Sequence, residues 1–132
     1  MKRRIIILGG IILCLFWSSA AGALDSDEQA KVDRLATVLN LTPVQKQKLS
    51  KERETSLKKL RVLERKWQGL HDRLRLEVRK DKPDRAAIDK ISKEIGTIQG
   101  EIVSLRTNSL IYLKSLLTPS QITLLEKGSS TD

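Results

Sequence analysis

The feature that most constrains this chain is an apolar repeat between Ala86 and Leu117. Counting by sevens from Ile88 gives Ile88, Ile95, Ile102, Ser109 and Leu116. Counting by sevens from Ile91 gives Ile91, Ile98, Leu105 and Tyr112. All of these except Ser109 are apolar or aromatic, and successive positions alternate between steps of three and four. A seam of this period, held over more than four heptads, predicts one long helix with a single face against a partner helix. The period near 3.5 residues predicts a left-handed crossing.

The partner is encoded just upstream. In Leu41-Thr42-Pro43-Val44-Gln45, Thr42 suits the N-cap, Pro43 the first helical position and Gln45 the capping-box position. From there to about Arg79, Gly69 is the only glycine or proline. Leu60, Leu63, Trp67, Leu70 and Leu74 keep the three-four alternation, with Leu49 and Leu57 leading in. Pro83, within Asp81-Lys82-Pro83-Asp84, ends this helix, and Asp84 can cap the next one. Two helices of similar length joined by a short turn predict an antiparallel hairpin. Gly96 and Gly100 fall off the seam, where glycine costs about 1 kcal/mol relative to alanine in a helix.

Two shorter helices flank the hairpin. Ser26-Asp27-Glu28-Gln29 reads as a capping box, with Val32, Leu35, Ala36 and Leu39 on one face of the helix that follows. Leu117-Thr118-Pro119-Ser120-Gln121 repeats the earlier pentapeptide in form and starts a last helix through Ile122, Leu124 and Leu125. Gly128 reads as its stop signal, ahead of a polar tail over 128–132. The fold class is therefore all-α, with a long antiparallel hairpin flanked by two shorter helices.

Residues 1–23 read as a secretory signal. Met1-Lys2-Arg3-Arg4 precedes an uncharged run from Ile5 to Trp17, and small residues follow up to Ala23. Cleavage after Ala23 leaves a helical domain over 24–127 and the tail. The alternative is an uncleaved inner-membrane anchor facing the periplasm, since Ile5 to Leu24 is long enough to span a bilayer. Cys14 is the chain's one cysteine and lies in the signal, so the mature chain has no disulfide or thiolate chemistry. Loss of Lys2, Arg3 and Arg4 leaves 22 Lys and Arg against 16 Asp and Glu. A chain of this size, built from long thin helices, has little interior of its own, and a homodimer is expected to complete the core.

Two copies of Leu-Thr-Pro-x-Gln, at 41–45 and 117–121, bracket a basic hairpin behind a signal sequence. In this the chain resembles the Spy/CpxP family of periplasmic proteins, known for its LTXXQ motif. The related zinc-resistance-associated and heavy-metal-resistance proteins share the layout. The resemblance assigns Leu41, Thr42, Gln45, Leu117, Thr118 and Gln121 to the motifs, in helix-capping positions. It implies a four-helix protomer that pairs into a cradle-shaped antiparallel dimer. It further implies ATP-independent binding of non-native envelope proteins in the periplasm. The alternative is a regulatory or metal-responsive accessory role, with a sensor-kinase periplasmic domain as partner.

Positive charge is concentrated between Lys46 and Arg85, where 15 Lys and Arg face 7 Asp and Glu. A basic helix beside apolar side chains can attract polypeptide over a distance and hold it by modest contacts. The client-binding candidates are Arg53, Lys58, Arg61, Arg65, Arg73 and Arg75, with Leu57 and Val62 as apolar neighbours. The simpler alternative is a solvated outer face laced by i,i+4 ion pairs. Nucleic acid fits the charge, but export removes the usual opportunity, so none is expected as a partner. His71, the sole histidine, is a weak metal candidate, because zinc sites favour several His or Cys ligands. No cofactor is expected. Nothing gathers the polar residues into a catalytic constellation, and the expectation is a protein that is not an enzyme.

Overall fold

A computed structural model describes residues 25–129, and the proposed signal over 1–23 lies outside them. Four helices follow in order: α1 (Asp25–Val38), α2 (Pro43–Val78), α3 (Arg85–Leu116) and α4 (Pro119–Ser129). No strand occurs among the described residues. α2 has 36 residues and α3 has 32. They are the two arms of the expected hairpin, and the chain packs as two compact units.

The first unit combines α1, α2 up to Glu54, and the chain from Ser109 through α4. Its core is Val32, Leu35, Leu39, Leu49, Leu113, Leu117 and Leu125, with Val38, Leu41, Leu116 and Ile122 packed against it. Leu39 and Leu113 are fully enclosed. Burial of a leucine contributes about 1.5–3 kcal/mol, so these two side chains anchor the unit. Leu113 lies one position past Tyr112, off the heptad seam counted from Ile91. It is buried because this end of α3 packs against more than one neighbour, which widens the buried face beyond the seam residue Ser109 to take in Leu113, and Leu117 just past the helix.

α1 does not begin as the sequence suggested. The helix is already formed at Asp25, so Ser26 lies inside the first turn and not at the N-cap position. Gln29 does not reach back but donates from Nε2 to Asp33 Oδ1 at 3.1 Å. The end of α1 is a Schellman turn. Leu41 N–H donates to Ala36 C=O at 2.9 Å, Asn40 N–H donates to Thr37 C=O at 3.3 Å, and Asn40 takes φ 52°. Asparagine is among the few residues other than glycine that visit this region routinely.

The second unit is the hairpin from Thr55 to Asn108. Leu70, Ile91 and Ile95 form its buried cluster, with Trp67, Leu74 and Ile98 packed around them. All are seam positions. The turn is closed twice. Asp84 Oδ1 accepts from Ala86 N–H at 3.0 Å and Ala87 N–H at 3.4 Å, as expected of an N-cap. Glu77, the penultimate residue of α2, accepts from the backbone N–H of Asp84 at 3.1 Å and pairs with Lys80. These two donors hold the Glu77 carboxyl below its ordinary range, the Lys80 ammonium first and the Asp84 N–H second. At the other terminus α4 continues through Gly128 to Ser129, one residue past the expected stop.

Candidate functional site

The two Leu-Thr-Pro-x-Gln segments do cap α2 and α4. Thr42 N–H donates to Gln45 Oε1 at 2.9 Å, and Gln45 N–H donates to Thr42 Oγ1 at 3.2 Å. In the second copy Thr118 N–H donates to Gln121 Oε1 at 2.9 Å, and Gln121 N–H to Thr118 Oγ1 at 3.4 Å. Each box satisfies two backbone donors that a helix start leaves open.

The same glutamines also tie the two copies together. Gln45 Nε2 donates to Gln121 Oε1 at 2.9 Å, and Gln121 Nε2 donates to Gln45 Oε1 at 3.1 Å. Their second amide protons cross to the residue just before the opposite motif. Gln45 Nε2 reaches Leu116 C=O at 2.7 Å, and Gln121 Nε2 reaches Asn40 C=O at 3.1 Å. The arrangement is a local two-fold, in which each amide uses both protons and shares its oxygen between two donors. Residues Leu41 and Leu117 bring the motifs to this point by packing into the core.

Ion pairs fasten α1 to α2 in the same unit. Glu28 meets Arg53 at 3.0 Å and Lys31 at 2.7 Å, with all three side chains about five-sixths buried. Burial pulls the Glu28 carboxyl upward, but Lys31 and Arg53 outweigh it and leave it below its ordinary value. Asp33 meets Lys46 at 2.7 Å, and Lys46 with Gln29 lowers the Asp33 carboxyl. Arg53, a client-binding candidate by charge, is thus engaged with Glu28 on the protein's own framework.

The other candidates lie in the second unit. Lys58 and Arg65 are exposed, Arg61 and Leu57 are half-buried, and Val62 keeps 45% of its surface exposed. Arg65 Nε donates to Arg61 C=O at 3.4 Å. Arg73 approaches Glu94 at 3.9 Å and Arg75 approaches Asp72 at 3.6 Å, both pairs well exposed. Exposed pairs of this kind contribute at most about 1 kcal/mol and leave the cations available. The surface therefore presents exposed cations beside apolar side chains.

Two open depressions lie between α2 and α3 in this unit. One, of about 650 Å³, reaches down to Leu63 and Leu105 and is edged by Lys59, Glu101 and Gly100. The other, of about 420 Å³, reaches down to Leu70 and Ile98 and is edged by Lys66, Glu94 and Gly69. Moving seven residues forward on α2 and seven back on α3 converts Lys59, Leu63, Glu101 and Leu105 into Lys66, Leu70, Glu94 and Ile98, so the two share one heptad-spaced set, while Gly69 on α2 and Gly100 on α3 have no counterpart glycine. A Cβ added at Gly69 or Gly100 would meet nothing within 4 Å.

His71 packs on Trp67 with ring centroids 4.0 Å apart and planes tilted by 49°. Its Nε2 is enclosed and lacks a hydrogen-bond partner. No group of three His, Cys, Asp or Glu side chains among the described residues could hold a metal ion. His71 belongs with Trp67 on the edge of the hairpin core. Among the described residues, no helix is long and apolar enough to cross a membrane.

No curated protein and no solved structure matches the chain. A family model does: the LTXXQ motif family protein model matches residues 27–128, from the first turn of α1 to the end of α4. That span includes both crossed pentapeptides. The Spy/CpxP-type proteins gathered in this family are small, helical, periplasmic and not enzymes. The chain belongs to the LTXXQ motif family.

Proposed function

We propose that this protein binds non-native envelope proteins in the periplasm without ATP, as a homodimer, using the basic surface of α2. The observation that carries the reading is the run of exposed cations, Lys58, Arg65, Arg73 and Arg75, beside the exposed Val62. Exposed cations attract partly unfolded chains over roughly a Debye length, about 8 Å at physiological salt. The apolar neighbours then supply weak, unspecific contact. Release needs no energy source, because no single contact is strong.

The test is aggregation of a chemically unfolded client with the purified protein at low and moderate salt, beside Arg61→Glu/Arg65→Glu. Suppression that falls with salt and with the charge reversals supports the reading. No suppression at several-fold excess rejects it, and a single saturable partner, such as the periplasmic domain of a sensor kinase, becomes the object of search.

A further inference from the structure

We infer that the two heptad-spaced depressions between α2 and α3 hold one amphipathic helix of a client, with its apolar side chains at i and i+7 seated in successive holes. This rests on the proposed binding of non-native polypeptide and adds the conformation in which it is held.

The spacing is the first argument. The holes recur every seven residues along α2 and α3, which is about 10.5 Å along a helix. A helical ligand repeats an apolar side chain on one face at the same interval. An extended strand repeats on one face at about 6.7 Å and then about 13 Å, and fits neither. A strand would also bring unpaired backbone N–H and C=O groups against Leu63, Leu70, Ile98 and Leu105, whereas a helix satisfies its own.

Charge is the second argument. Lys59, Lys66 and Arg73 follow the α2 side at seven-residue intervals, and Glu94 and Glu101 follow the α3 side at the same interval. A helix with acids along one flank and bases along the other finds complementary charge on both sides, and the flanks fix its direction. The glycines are the third. Gly69 edges one hole and Gly100 the other, and among the described residues nothing fills the space beside either. Each leaves room for a second backbone to come close, although alanine would suit an isolated helix better.

The probe is a fluorescently labelled peptide of roughly three heptads, with leucine at the seam, glutamate on one flank and lysine on the other. Its control has the same composition with the leucines at alternate positions. The protein variant is Gly69→Leu/Gly100→Leu, which fills both holes at positions where the fold leaves open space. Expected are helix formation by the first peptide on binding, weaker binding of the control, and a loss of roughly tenfold or more in affinity in the variant with its melting temperature unchanged or raised. Equal affinity for both peptides, or full affinity in the variant, overturns the inference. So does conversion of a dimer to a monomer by the same variant, which identifies a second copy as the occupant. Client aggregation measured in parallel separates the two readings. Suppression without helix-specific binding overturns this inference alone, and absence of suppression in the unaltered protein rejects the functional reading beneath it as well.

Discussion

Gln45 and Gln121 exchange side-chain amide hydrogen bonds in both directions, at 2.9 and 3.1 Å, across 76 residues of sequence. Each is also the third helical residue of its own capping box. One residue type thus starts a helix and locks that start to the other end of the chain. An amide suits this dual role because it carries two donors and an acceptor with two lone pairs. Glutamate could cap, but it has no proton to send across.

The two glutamines should therefore be coupled energetically. Gln121 is buried, so Gln121→Ala leaves Asn40 C=O and Thr118 N–H without partners and should cost about 2–3 kcal/mol. Gln45→Ala should cost less, about 1–2 kcal/mol, because it is only partly buried. Denaturant unfolding of both singles and the double should give a double-mutant coupling of about 1 kcal/mol. Strict additivity would show that the crossed bonds contribute nothing beyond each cap.

Stability should fall in acid for an identifiable reason. Glu28, Asp33 and Glu77 all have carboxyls lowered in the folded state. Groups shifted in this direction stabilise the fold above their unfolded pKa, and the contribution disappears as pH drops through the folded value. Loss should begin as pH falls below the ordinary 4.5 of Glu and 3.8 of Asp, with no matching transition between pH 6 and 8 from these groups. Melting temperature against pH checks this. Glu77→Gln should flatten part of the acid limb, since it removes the titrating carboxylate that pairs with Lys80 and accepts the Asp84 N–H.

The helical periodicity was legible because it is a repeat of chemistry at fixed spacing. Both long helices, their turn at Pro83 and the two pentapeptide caps follow from local pattern alone. The crossing of Gln45 with Gln121 was not legible, since capping already accounts for each glutamine and no local pattern reveals a second set of partners. Ser26 is a related case: the sequence offers a suitable box, but the helix already runs through Ser26, and Gln29 turns its amide N–H forward to Asp33, which Lys46 also holds. Arg53 reads from sequence as one cation among many, and its engagement depends on Glu28 arriving from another helix.

Leu113 separates heptad logic from three-dimensional packing. It lies off the seam yet is fully enclosed, while Leu105, on the seam, is only half-buried. Leu113→Ala should cost about 3–5 kcal/mol, and Leu105→Ala should cost less. Thermal unfolding of the two variants gives the order directly. A larger loss at Leu105 would mean that the hairpin seam, rather than the four-helix end, dominates stability.

Gly69 and Gly100 each sit in a helix with open space where a Cβ would go. Gly69→Ala and Gly100→Ala should each raise stability by about 0.5–1 kcal/mol, through helix propensity and a less flexible unfolded chain. The check is a rise in denaturation midpoint with an unchanged slope. A fall would indicate that the backbone at these positions is approached by something beyond the single chain.

Arg53 and Arg65 should separate stability from binding. Both are arginines on α2, but Arg53 meets Glu28 at 3.0 Å with most of its side chain covered, while Arg65 is exposed. Arg53→Ala leaves the largely covered Glu28 carboxylate with one cation fewer and strips packing from the arginine stem, so it should cost about 1–2 kcal/mol. Arg65→Ala should change stability by less than about 0.5 kcal/mol. In client aggregation the order should invert, with Arg65→Ala weakening suppression and Arg53→Ala leaving it near normal at temperatures where the variant stays folded. If Arg53→Ala abolishes suppression without loss of stability, the binding surface extends onto the face that carries Glu28. The charge of α2 then acts as a whole and not through its exposed members.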